Sequence, residues 1–133
     1  MIHYLRVRSA LAVGVAFGCL GLACEASAAT FTVANGDVAG LRSAILAANA
    51  SPGHDTIVLA QNGLYILADA ATVQSWPHID PVWGSSAGLP VIGGPLTIEG
   101  NRARIERSSA PGTPQFRIFN VGAGGNVVFR YLT

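Results

Sequence analysis

The chain has 133 residues, a formal net charge of +1, 50% hydrophobic residues and no lysine, so its charge marks no surface for nucleic acid or anionic membrane. Both cysteines, Cys19 and Cys24, fall within segment 1–29. A chain that loses this segment has no thiol for disulfides, zinc-thiolate sites or nucleophilic catalysis.

Segment 1–29 reads as a secretory signal peptide. Arg6 and Arg8 supply a positive start, Leu11 to Cys24 is an unbroken small-and-apolar run, and Ala26-Ser27-Ala28 offers a small-residue cleavage site. A membrane-spanning helix is the competing reading, but the run is too short for a bilayer core, which asks for about 20 apolar residues. A lipidated cysteine is a further alternative, and neither cysteine has leucine three residues before it. The chain is therefore expected to be exported, to the extracellular space, the periplasm or the cell surface and outer membrane, with no membrane span after cleavage. Residues 30–133 form the domain to be folded, with six arginines against six acids.

From Asp37 the spacing predicts a helix of about 12 residues. Asp37 suits the N-cap, and Val38, Leu41, Ala44, Ile45 and Ala48 recur at intervals of three and four on one face, with Arg42, Ser43 and Asn49 elsewhere. Ser51, Pro52 and Gly53 end it, glycine being suited to a left-handed turn. Gly40 in the first turn weakens it by up to about 1 kcal/mol relative to alanine. Thr56 to Leu59 and Leu64 to Leu67 then read as short strands around the turn Gln61-Asn62-Gly63. Ala68 to Leu89 reads as an irregular loop. Beyond it, LTIEG (96–100), ARIER (103–107), FRIFNV (116–121) and NVVFRYLT (126–133) read as strands between turns of glycine, proline and asparagine. The like strands that start at Leu96 and Val127 stand farther apart than one β-helix turn usually spans, so Ser108 to Gln115 is expected to loop outward.

Leu41, Arg42, Ala44, Ile45, Ala48 and Asn49, followed by Asp55-Thr56-Ile57 and then Gly63 and Tyr65, resemble the opening of exported right-handed parallel β-helix proteins of the pectate-lyase-like type, including polymorphic outer-membrane proteins and adhesins. LTIEGN (96–101) and FRIFNV (116–121) extend the resemblance to roughly two thirds of the chain in two blocks. Gly40 and Ser43 depart from it, standing where serine and glutamate are usual. The resemblance implies a mainly β fold: an N-terminal capping helix, then the first coils of a right-handed parallel β-helix, with Leu41, Ile45 and Ala48 plugging the open end of the first coil. A stack of this kind needs about three coils, and some two are legible, so a truncated sequence or the N-terminal piece of a longer protein is expected. A compact β domain closed in another way is the alternative.

Catalytic signals fail on context. Gly84-Ser85-Ser86-Ala87-Gly88 fits G-x-S-x-G, but Leu89-Pro90 breaks the helix such an elbow needs and no histidine follows His78. Gly122-Ala123-Gly124-Gly125 leads into a strand, whereas a phosphate loop must open a helix. Glu99 and Glu106 sit in strands and Asp69 and Asp80 flank the loop, so nothing sets a carboxylate pair at catalytic separation. Arg102, Arg104 and Arg107 read as solvated surface on exposed turns. No cofactor or metal is implied: His78 and Asp80 offer two ligands where a site needs three or four. Asn49-Ala50-Ser51 is a formal glycosylation sequon.

The loop at about 68–89 holds the candidate ligand-binding residues Trp76, Trp83, His78 and Asp80. Indole faces stack on sugar rings or anchor interfaces, and the competing role is to cover the flank of the coil. The reading is an exported, non-catalytic segment of a surface or secreted protein that binds glycan or another surface protein. The alternatives are the N-terminal fragment of a polysaccharide lyase or hydrolase whose catalytic coils are absent, and a truncated product without function.

Overall fold

The structure, a computed structural model, describes residues 27–73 and 86–133. The signal-peptide reading of residues 1–26 and all four candidate ligand-binding residues lie outside the described residues. In chain order the elements are β1 (Thr30–Val33), α1 (Val38–Ala50), β2 (Asp55–Leu59), β3 (Leu64–Leu67), β4 (Thr72–Val73), β5 (Ser86–Ala87), β6 (Pro95–Glu99), β7 (Arg104–Arg107) and β8 (Asn126–Arg130). Among the described residues the fold is mainly β with one helix, and its two larger ladders are parallel: β1-β2-β6-β8 and β3-β7. Among the described residues no helix is long and apolar enough to cross a membrane.

Helix α1 forms as its sequence requires. The Asp37 carboxylate accepts from Gly40 N at 2.7 Å, satisfying a first-turn donor that has no partner within the helix. Leu41, Ala44, Ile45 and Ala48 are buried, and Val38 packs partly against the same core. At the far end Ser51 N donates to Ala47 O and Ala48 O, and Pro52 follows. Gly53 corrects one expectation: it is not among the positive-φ residues. Its smallness serves close approach, since a Cβ there would stand 2.6 Å from Ser27 O.

Register explains which side chains go inward. Ile57 lies beside Ile98 in the β2-β6 ladder, and Ile98 beside Phe129 in the β6-β8 ladder. A strand alternates its faces every residue, so Asp55, Ile57 and Leu59 all point in, where each is buried. Leu96 pairs with Val127, the two positions that the sequence likened. In the second ladder Tyr65 lies beside Ile105, both buried, while Leu64 and Ile66 on the alternate face are exposed.

Tyr65 is completely buried, and its hydroxyl donates to Val33 O while accepting from Ala60 N, each at 3.1 Å. One phenol thus joins the end of β1 to the turn between β2 and β3. At the next level Asn62 N donates to Asn101 O at 3.0 Å, and Asn101 Nδ2 donates to Leu59 O at 2.9 Å. Asn62 and Asn101 both have positive φ, at 52° and 51°, a conformation that asparagine tolerates better than most residues.

One strand is additional to the expectations, and three expectations are corrected. Thr30–Val33 pairs as β1 along β2, so a strand as well as α1 covers that edge; four residues without turn residues on both sides gave too short a signal. Within 68–89 the chain is not wholly irregular, because β4 and β5 form an antiparallel pair, Thr72 with Ala87 and Val73 with Ser86. FRIFNV is not a strand: it makes only isolated parallel bridges, Arg117 with Ala87 and Val121 with Ile92. NVVFRYLT is a strand only to Arg130: Tyr131 turns to φ 49°, and beyond the turn Thr133 N donates to Ala103 O and Thr133 O accepts from Ile105 N, each at 3.0 Å.

Candidate functional site

The loop that carries the candidate residues departs and returns on the flank of the molecule, beside α1. Its outgoing leg is Leu67 to Val73 and its returning leg is Ser86 to Gly93. Ala71 N donates to Ala87 O at 2.8 Å, alongside the β4-β5 pairing, so the two legs meet. Trp76, His78, Asp80 and Trp83 belong to the segment 74–85 that connects them.

Two polar side chains of α1 grip these legs. Arg42 Nη2 donates to Asp69 O at 2.8 Å and to Asp69 Oδ1 at 2.9 Å, and its Nε donates to Gly88 O at 3.1 Å. A planar guanidinium with five donors can hold both legs at once. Two turns along, Asn49 Nδ2 donates to Val91 O at 2.7 Å and its Oδ1 accepts from Gly93 N at 2.8 Å. Arg42 and Asn49 lie off the apolar face because they serve this second contact. The Arg42 guanidinium, by hydrogen bond first and charge second, holds the Asp69 carboxyl below its ordinary value of 3.8.

The returning leg is also packed. Ala87, Leu89 and Ile92 are fully buried, and Gly88 N donates to Arg117 O at 2.8 Å. Ser86 and Ala87 lie in a strand, so the described part of the G-x-S-x-G match is no strand-to-helix elbow. Gly122 to Gly125 closes a turn, Gly125 N to Gly122 O at 2.9 Å, that opens β8.

The other sequence candidates disperse. Glu99 is in β6, where Arg130 stands 3.7 Å away, and Glu106 is in β7, paired with Arg104 at 2.7 Å. Arg104 and Arg107 correct the expectation of exposed turns, since both belong to β7. Arg107 donates to Thr113 O at 3.0 Å and Pro114 O at 3.1 Å, and so braces the outward loop. His54 Nε2 meets Thr97 Oγ1 at 2.9 Å. Among the described residues no group of three His, Cys, Asp or Glu side chains could hold a metal ion. The Nδ2 of Asn49, the atom a glycan would occupy, is engaged with Val91 O.

Sequence reasoning missed Asp55 as a buried polar group. It is fully buried, and its place in alternation with Ile57 and Leu59 was the available signal.

Comparison with protein-family models, with curated proteins and with solved structures gives no match.

Proposed function

We propose that the chain is an exported, non-catalytic right-handed parallel β-helix of a surface or secreted protein, and that it binds glycan through the aromatic loop on its flank. The observation that carries the reading is the double grip of α1: Arg42 fixes Asp69 and Gly88, and Asn49 fixes Val91 and Gly93. Binding loops work when a rigid scaffold positions them, and here both legs of the loop are tied to a helix that packs on the core. Two indoles and a His-x-Asp pair are the residue types that stack on sugar rings and bond their hydroxyls. Parallel ladders in which Ile57, Ile98 and Phe129 follow one another support the β-helix reading.

The test uses single variants, Trp76→Ala and Trp83→Ala, each of which keeps the other indole. Loss of signal on a glycan array, with altered quenching of the remaining tryptophan by the bound sugar, is expected. Unchanged glycan signals and quenching in both variants would mean that the loop packs on the flank instead of recognising sugar.

A further inference from the structure

Asp55 is the one fully buried acid among the described residues, and half of its carboxylate is unmet. Oδ1 accepts from Ala29 N at 2.6 Å and from Ser51 Oγ at 3.2 Å. Oδ2 has no hydrogen-bond partner. Burying a carboxylate oxygen without a donor is costly, and an amide N–H at Ala29 has a single proton to give.

The same Ala29 stands directly after the Ala26-Ser27-Ala28 motif. Small residues at the first and third positions of that motif place the cut between Ala28 and Ala29. Backbone pairing puts Ala29 with the folded domain: its carbonyl accepts from Thr56 N at 2.8 Å, and Thr30 follows in register with Thr56. A cut there would fall one residue before the boundary expected between 29 and 30. Ser27 and Ala28 are exposed, and among the described residues their departure breaks a long hydrogen bond, from Ser51 Oγ to Ser27 O at 3.4 Å, and opens space beside Gly53.

We propose that leader removal cuts the Ala28–Ala29 bond and that the new Ala29 ammonium becomes the ion-pair partner of buried Asp55, locking β1 onto β2 in the processed chain alone. The proposal rests on the export reading above. A leader peptidase adds water across the bond: the hydroxyl goes to the Ala28 carbonyl carbon, and the amine leaves and takes up protons to become an ammonium. One N–H becomes three, so Oδ1 keeps its donor and the nitrogen has two further protons to offer the carboxylate. A charge-assisted bond is roughly twice as strong as a neutral one.

Because the chain has no lysine, the processed protein carries one primary amine, and an amine-selective acylating reagent reads it alone. The full chain is exported from a bacterial host, and its N-terminus is read by intact mass and sequencing. The expected product begins at Ala29, and its amine is acylated about tenfold or more slowly when folded than in urea, because an ammonium held in an ion pair has no free lone pair to react. Asp55→Asn keeps the shape and removes the charge, so it should return the folded rate toward the unfolded one. If Asp55→Asn does not fold, one alanine inserted after Ala28 leaves Asp55 intact and moves the amine away by a residue, and its rate should rise equally. A product beginning at Thr30, or a rate unchanged by both variants, overturns the lock and leaves export standing. A chain that is neither exported nor cut overturns both.

Discussion

Tyr65→Phe isolates one oxygen in the core. The ring stays and its burial is unchanged, but the hydroxyl that accepts from Ala60 N and donates to Val33 O at 3.1 Å is gone. A net hydrogen bond is worth about 0.5–1.5 kcal/mol, and a buried donor left alone costs about 1–3 kcal/mol. The two orphans are unequal. Val33 O has a second lone pair to place, whereas Ala60 N–H has one proton and loses its acceptor. Ala60 is only partly buried, so water recovers some of that loss. The sum comes to about 2 kcal/mol, which for a domain of this size lowers Tm by about 8–16 °C. Thermal and urea unfolding followed by circular dichroism measure it, with Tyr131→Phe as the control. Tyr131 is 75% exposed, and its variant should stay within about 0.5 kcal/mol of the parent. A Tyr65→Phe loss no greater than the control's would refute the claim that this hydroxyl ties β1 to the following turn.

Two other perturbations probe the grip on the loop and the close approach of backbones. Arg42 holds the Asp69 carboxyl below 3.8, so the pair's contribution is present above that value and is lost as pH falls through the lower folded one. The Tm difference between the parent and Asp69→Asn should hold above about pH 5 and close on acidification toward pH 2, a window taken from the unperturbed carboxylate range; a difference constant with pH would contradict the pairing. Gly100→Ala places a Cβ 2.6 Å from Tyr131 O and 2.9 Å from Arg130 O, both backbone atoms that cannot rotate away. A loss of about 1–3 kcal/mol is expected, with faster hydrogen exchange in β8, and unchanged exchange there would show that the strand does not depend on this contact.

What the sequence determined by itself is local and periodic. Asp37 before Val38, Leu41, Ala44, Ile45 and Ala48 marks a cap and a face, because a 3.6-residue period needs only neighbours within the same element. The strand run Thr56 to Leu59 and the likeness of Leu96 to Val127 follow from the same kind of short-range rule, and both agree with the ladder register. Only tertiary structure decided the rest. FRIFNV carries strand residues yet makes bridges alone, since pairing is settled by the partner segment from Ala87 to Ile92 and not by propensity. Arg42 and Asn49 stand off the apolar face of the helix, and the partners they have there come with the legs of the loop beside them. In the sequence Asp55 is only the first letter of the Asp55-Thr56-Ile57 strand motif. Its meaning lies in what the fold sets against it, Ser51 and Ala29, the second of them 26 residues away, because the partner of a buried charge is chosen in space.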